Sequence, residues 1–341
     1  MKFLRKLLLP FSLIYLIITA VRNFLYNIGF FKSFVYSQPV IAIGNLSTGG
    51  TGKTPQTEYL IRLLSDKYRV ATLSRGYKRK SKGYVLGSTS SSAAMLGDEP
   101  FQFYKKFPNI RVAVDADRKN GIDQLLLLSP KPQVILLDDA YQHRSVKAGF
   151  YILLTSYGDI YPDDFLLPAG NLRESRSGAT RAKIIIVTKC PIALSKKQQQ
   201  DIIKKIKPLP YQKIFFTSIE YDDEVYSEIG RRNVNDVKYM NKALVAGIAK
   251  PEPFFNYLHQ PEDEVLAYPD HHDFTESELV YLEELSRKKI IITTEKDYMR
   301  LRGKLPKDKL FYLPIKSRFL SDSDDFDKTI LEYVGKSTGN S

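Results

Sequence analysis

Short apolar runs bounded by turn residues recur along the first part of the chain, at Val40–Ile43, Val70–Leu73, Val134–Leu137, Tyr151–Leu154 and Ile184–Val187. Such runs, apolar without polar alternation, predict strands buried on both faces, as in a parallel sheet. Between them, Thr54–Tyr68 and Arg118–Leu128 carry spaced apolar residues consistent with covering helices, so the pattern predicts a doubly wound, mostly parallel α/β sheet. The polar stretch YSEIGRRNVNDVKYMNK, residues 226–242, then interrupts the pattern. A second set follows at Ala243–Ile248, Val265–Tyr268, Ile290–Thr293 and Leu310–Leu313. The expected organisation is a larger α/β unit over 32–225, a smaller α/β unit over 226–335 and a flexible tail over 336–341.

The N-terminus follows a different pattern. Lys2, Arg5 and Lys6 precede an apolar run from Leu7 to Val21, and Arg22 follows it. A full membrane span wants about 20 apolar residues. This shorter run, with cations at both ends, suits a helix lying at a membrane surface with its charges near lipid phosphates. No small-residue cleavage pattern follows, as a signal peptide would require, and the first strand begins almost at once. A single crossing with Lys2, Arg5 and Lys6 inside would put the rest of the chain outside, away from ATP. Residues 1–31 are therefore read as a membrane-associated helical segment.

Composition narrows the partners. The 341 residues carry a formal net charge of +13, which suits an anionic partner such as an acidic membrane surface, a phosphorylated substrate or nucleic acid. The basic residues are scattered, with no zinc-finger spacing, RNA-binding aromatic signature or recognition helix, so nucleic acid is the weakest of the three. Cys190 is the single cysteine, which excludes an intramolecular disulfide and agrees with a reducing compartment.

Three strings carry chemistry. VIAIGNLSTGGTGKTP, residues 40–55, runs from an apolar strand through a glycine loop into Lys53 and Thr54 and then a helical pattern. That is the context of a P-loop, whose backbone N–H groups meet phosphate oxygens while the lysine reaches the β- and γ-phosphates and the threonine hydroxyl binds Mg²⁺. Ser47 stands where the usual pattern has its first glycine; Gly49 and Gly50 supply the backbone freedom. VILLDDAYQH ends an apolar strand in Asp138 and Asp139, the form of a metal-facing Walker B carboxylate. Successive strand side chains point oppositely, so both acids can face a metal only if the strand ends at or between them. GDEP, residues 97–100, reads alone as ordinary helix-start chemistry, and the histidine pair of YPDHHDF, residues 268–274, as a surface loop.

Taken together and in order, GNLSTGGTGKTP, LSRGY, GDEP, DADR, LLDDAYQH, LLPAGNLRE, AGIAKPEPFF, DHH and TTEKDYMRL resemble the tetraacyldisaccharide 4′-kinases, the lipid A 4′-kinase family, from the N-terminus to about residue 302. Ala140 and Tyr141 replace the Gly-Phe usual in that family's Asp-Asp-Gly-Phe-Gln-His string, leaving both acids and His143 in place. The resemblance implies ATP-dependent, Mg²⁺-assisted phosphorylation of the 4′-hydroxyl of a tetraacylated glucosamine disaccharide 1-phosphate. It places the protein at the cytoplasmic face of the bacterial inner membrane, with no obligate protein partner.

The resemblance also assigns roles. Ser47, Thr48, Gly49, Gly50, Thr51, Gly52, Lys53 and Thr54 would hold the nucleotide, with Lys53 also catalytic. Thr54, Glu99, Asp138 and Asp139 would lie at the metal, and Arg118 and Arg173 would neutralise phosphate or substrate charge. Asp98 would be the general base, because an unperturbed sugar hydroxyl is a poor nucleophile at neutral pH. His271 would partner it, with His272 the alternative. A competing class is a membrane-associated P-loop switch or partitioning ATPase acting on a protein partner. Against it, the residue before Gly49 is Thr48 rather than the partitioning ATPases' signature lysine, and TKCP, 188–191, fails the guanine-binding Asn/Thr-Lys-x-Asp pattern at its last position.

Overall fold

The computed structural model describes residues 5–338, which build two sheets and the helices that cover them. In the larger, seven parallel strands run in the spatial order Lys213–Tyr221, Ile184–Thr188, Phe150–Ser156, Val40–Asn45, Val134–Asp138, Val70–Ser74 and Arg111–Val114. Antiparallel strands close both edges: Ile315–Phe319 beside Lys213–Tyr221, and Val85–Leu86 beside Arg111–Val114. The five apolar runs of the sequence all lie in this sheet, and Val40–Asn45 is buried throughout because it sits between two neighbours and under helices. Leu60, Ile61 and Leu64 of helix Lys53–Ser65 pack into the same core as Ile41, Ile43 and Leu136.

The smaller sheet has six strands, in the order Arg231–Asn233, Glu224–Tyr226, Leu310–Leu313, Ile290–Thr294, Lys242–Ala246 and Glu264–Ala267. The last four are parallel. The expected smaller unit of 226–335 is wider than this sheet. After Leu313 the chain returns to the larger sheet as Ile315–Phe319, and helix Ser323–Thr338 buries Phe326, Ile330 and Val334 in the larger core. Those three residues are four apart and so form one apolar stripe along the helix. Of the expected tail, 336–338 belong to this helix, and 339–341 lie outside the described residues.

One apolar cluster joins the two sheets. Leu96, Phe101 and Val114 pack with Ala243, Val245, Ile291, Tyr298 and Leu301. It fixes the start of helix Asp98–Lys106 against helix Glu295–Leu301, and both helix starts open onto the cleft.

The N-terminal helix, Leu9–Asn27, is inside out. Leu13, Ile14, Ile17, Ile18, Val21 and Phe24 are each more than half exposed, while Ser12 and Thr19 are buried. The polar stripe faces the protein: Ser12 Oγ donates to Leu166 O at 3.0 Å, Tyr15 Oη to Arg173 O at 2.8 Å, and Asn23 Nδ2 to Glu174 Oε2 at 3.3 Å. The flanking cations do the same. Arg5 donates to Pro168 O at 3.2 Å and Arg22 to Gln142 O at 2.9 Å, so these two bind the protein where the sequence suggested lipid phosphates; Lys2 and the Lys6 side chain lie outside what the structure describes.

Candidate active site

Strands Val40–Asn45 and Val134–Asp138 lie side by side in parallel, with Ile43 opposite Asp138. The glycine loop that leaves the first and the acids that end the second therefore share one sheet edge. Gly52, at φ +80°, caps helix Lys53–Ser65, and Gly49 sits at φ +106°; a side chain is strained in either conformation. The helix has no side-chain cap, so its first N–H groups are left for an anion. Lys53 Nζ lies 3.4 Å from Asn45 Oδ1 and 3.6 Å from Asp139 Oδ1.

Beneath the loop lies a cavity of about 630 Å³, lined on this side by Gly50, Thr51, Gly52, Lys53 and Thr54. Ser47, Thr48 and Gly49 do not line it. Ser47 forms a bridge with Leu172, and the Thr48 N–H donates to Asn171 O at 2.7 Å, so the first part of the expected nucleotide loop is bound to the 171–172 segment. Lys189 Nζ donates to Gly50 O at 2.6 Å; burial, then the nearby charges of Lys250 and Lys53, lower its ammonium pKa.

The strand ends at Asp138, and Asp139 turns away at φ +48°. The two acids consequently meet different surroundings. Asp138 is buried, accepts from Thr57 Oγ1 at 3.3 Å and Ser74 Oγ at 3.4 Å, and is pushed up to about 6 by burial and then by the Asp139 charge. Burial acts on Asp139 as well, but Lys53 and Arg173 outweigh it and hold its carboxyl below the usual range. Arg173 Nη1 reaches Asp139 Oδ1 at 3.3 Å. Arg118 is fully buried; it donates to Asp115 O at 2.5 Å, its Nε and Nη2 have no hydrogen-bond partner among the described residues, and burial pushes it down to about 10 against the pull of Asp138 and Asp139.

Among the described residues no group of three His, Cys, Asp or Glu could cage a metal. Mg²⁺ bound with a nucleotide needs less, since it takes one or two carboxylates and fills its shell with phosphate oxygens and water. Thr54 at the helix start and Asp138 fit that requirement. Asp139 is neutralised by two cations, and Glu99 stands across the cleft, 3.8 Å from Lys296 Nζ.

The opposite wall combines the start of the larger sheet's helix Asp98–Lys106 with elements of the smaller sheet. Gly97, at φ +90°, precedes helix Asp98–Lys106, and a Cβ there would stand 3.1 Å from Tyr77 O. Asp98 Oδ2 lies 3.5 Å from His271 Nδ1 and is bound by Arg300 Nη2. His271 sits at φ +60°, donates its backbone N–H to Gly247 O at 3.2 Å, and has Lys296 Nζ 2.9 Å from its Nε2. His272 goes elsewhere: its Nε2 is 2.8 Å from Glu278 Oε2 and its ring stacks on Tyr268. Of the two histidines that the sequence leaves open, His271 is the one brought to Asp98.

A buried ion group spans the cleft. Lys106 Nζ lies 2.8 Å from Glu58 on the loop helix and 2.9 Å from Glu295 on the opposite wall; Glu58 and Glu295 also line the cavity. Sequence reasoning missed Glu58, Lys106, Glu295, Lys296 and Arg300. A signal existed for the last two, since positions four apart in TTEKDYMRL fall on one helix face.

Residues 4–335 match the tetraacyldisaccharide-1-P 4′-kinase family. A tetraacyldisaccharide 4′-kinase of Flavobacterium psychrophilum is 60% identical over the whole of both chains, and one of Bacteroides thetaiotaomicron is 43% identical, covering 99% of this chain and 95% of that protein. The crystal structure of LpxK from Aquifex aeolicus in complex with ATP matches with a TM-score of 0.78 at 32% identity, covering 97% of this chain and 99% of that one. The chain belongs to the tetraacyldisaccharide-1-P 4′-kinase family.

Proposed function

We propose that this chain transfers the γ-phosphoryl group of ATP to the 4′-hydroxyl of a tetraacylated glucosamine disaccharide 1-phosphate, the step in lipid A biosynthesis that its family's name describes. The observation that carries the reading is the cavity at the phosphate loop, lined by Lys53 on one side and by Glu99 and Lys296 on the other, with Asp98 next to Glu99 in the chain and His271 bound to Lys296 just beyond its lining. A switch or partitioning ATPase needs no second wall of this kind.

The residues divide the work. Gly50–Thr54 and Lys53 bind the phosphates through backbone N–H groups and the ammonium. Thr54 and Asp138 would hold Mg²⁺, which would supply positive charge to the transferred phosphate. Asp98 orients the acceptor hydroxyl and takes its proton as the new oxygen–phosphorus bond forms and the bond to the β-phosphate oxygen breaks, releasing ADP. Arg173 and Arg118 add positive charge around Asp139 and Asp138, and Glu99 borders the phosphate region. The larger sheet with its returning 315–338 segment and the smaller sheet over 224–313 act as two domains across this cleft.

The inside-out helix supports a site at the cytoplasmic face of the inner membrane. Fully burying its six outward side chains in lipid would contribute on the order of 10 kcal/mol, and its engaged polar stripe keeps the apolar face outward. The experiment is transfer of radiolabelled γ-phosphate to the purified disaccharide 1-phosphate in micelles, with sedimentation on anionic vesicles beside it. Phosphorylation at the 4′-position and co-sedimentation are expected; ATP turnover that ignores the lipid and responds to a protein would overturn the reading.

A further inference from the structure

Arg300 lies on helix Glu295–Leu301, in the part of the opposite wall that the smaller sheet contributes, with its side chain almost entirely buried. Its Nη2 meets both Asp98 Oδ2 and His271 Nδ1, the latter at 3.0 Å. Its Nη1 donates to His272 O at 3.3 Å and to Asp297 Oδ1 at 3.4 Å. Asp297 is itself fully buried and fixed, accepting from the Gly247 N–H at 2.8 Å and from Thr294 Oγ1 at 2.6 Å through its other oxygen. The guanidinium is thus anchored on the smaller sheet's elements and holds Asp98, which comes from the larger sheet.

Two features of this contact bear on catalysis. Arg300 binds Asp98 by Oδ2, His271 Nδ1 stands 3.5 Å from the same oxygen, and Oδ1 has no hydrogen-bond partner among the described residues. A guanidinium is permanently protonated and cannot accept the proton that the hydroxyl gives up, so it fixes the carboxylate without competing for that proton. At His271, Arg300 and Lys296 stand at opposite ring nitrogens. Both cations only donate, and a neutral imidazole has one acceptor nitrogen, so one of them bonds to the ring at a time. Lys296 has Asp270, at 3.2 Å, as another partner.

We propose that Arg300 is the positioning residue of the Asp98–His271 pair: it holds Asp98 by one oxygen, leaves Oδ1 for the acceptor hydroxyl, and sets the register between the two sheets. The inference rests on the kinase reading above. A guanidinium in this place converts correct docking of the smaller sheet into correct orientation of the base, and a misplacement of about 1 Å at such a site costs on the order of 10²-fold in rate.

The test compares wild type, Arg300→Met, Arg300→Lys and His271→Ala, alone and combined, for kcat and KM with each substrate. Arg300→Met should lower kcat about 10²-fold while KM for ATP stays near wild type, because the nucleotide cavity does not include Arg300. Arg300→Lys should recover part of the loss, and Arg300→Met combined with His271→Ala should lose little more than the worse single variant. Wild-type kcat in Arg300→Met, a loss confined to KM for ATP, or full additivity with His271→Ala would each overturn the proposal. If Arg300→Met fails to fold, Arg300→Lys carries the same cycle. Failure of the kinase reading looks different, since the wild-type protein would then transfer no phosphate to the disaccharide.

Discussion

The two walls of the cleft are built on different principles. The loop wall is local: Asn45, Lys53, Asp138 and Asp139 leave adjacent strand ends of one sheet, and register alone brings them together. The opposite wall is assembled from the 269–272 loop, the Glu295–Leu301 helix and Asp98, which comes from the other sheet. The first wall is ready whenever its sheet is folded. The second is correct only when the two sheets are docked, so its chemistry is coupled to the joint between them.

The loop wall should break most completely. Lys53→Ala removes the cation that lies between the loop and Asp139, and turnover should fall about 10³-fold or more with the fold intact. Steady-state transfer and far-ultraviolet circular dichroism check it together. Across the cleft, Asp98→Asn keeps shape and removes the proton acceptor, so kcat should fall about 10²–10³-fold while ATP still binds. Titration with a fluorescent ATP analogue separates the two effects; collapsed ATP binding with preserved turnover at saturation would make Asp98 a nucleotide ligand.

The histidines sharpen the comparison further, because they are neighbours with different partners. His271→Ala removes the group beside Asp98 and should lower kcat about 10–100-fold. His272→Ala removes a bond to Glu278 and a stack on Tyr268, and its effect should appear in thermal stability rather than in kcat. Equal kinetic losses in the two would mean that the loop acts as a unit and that Asp98 has no preferred partner.

The same contrast explains what could be read from the chain. The five buried runs of the larger sheet, the loop and the acid pair were legible because each is a local pattern: apolar continuity, glycine spacing, two acids at a strand end. The return of 315–338 to the larger sheet was not, since Ile315–Phe319 pairs with a strand nearly one hundred residues earlier and no local pattern records such a partner. Thr48 looked like a phosphate ligand by spacing, and its N–H is spent on Asn171, a contact that only tertiary structure supplies. For the histidines the family resemblance named both, and the backbone turn at His271, φ +60°, decides which reaches Asp98.

The joint between the walls offers the mildest and most specific perturbation. Glu295 is buried at the start of its helix; one oxygen faces Lys106 and the other, Oε1, has no hydrogen-bond partner among the described residues. Burial, and then the neighbouring Glu58 charge, push its pKa from 4.5 up to about 7, although Lys106 pulls the other way. Between those two pH values the folded protein holds a proton that the unfolded chain has released. Stability therefore falls as pH rises from about 4.5 to about 7 and levels off above it, by an amount on the order of 1–3 kcal/mol. Urea midpoints measured across pH 5–8 without nucleotide should show this decline in wild type. In Glu295→Gln the decline should largely vanish, because glutamine resembles the protonated acid at every pH. A Gln variant with the same decline would place the titrating group elsewhere in the joint and leave the Lys106 bridge without pH sensitivity in this range.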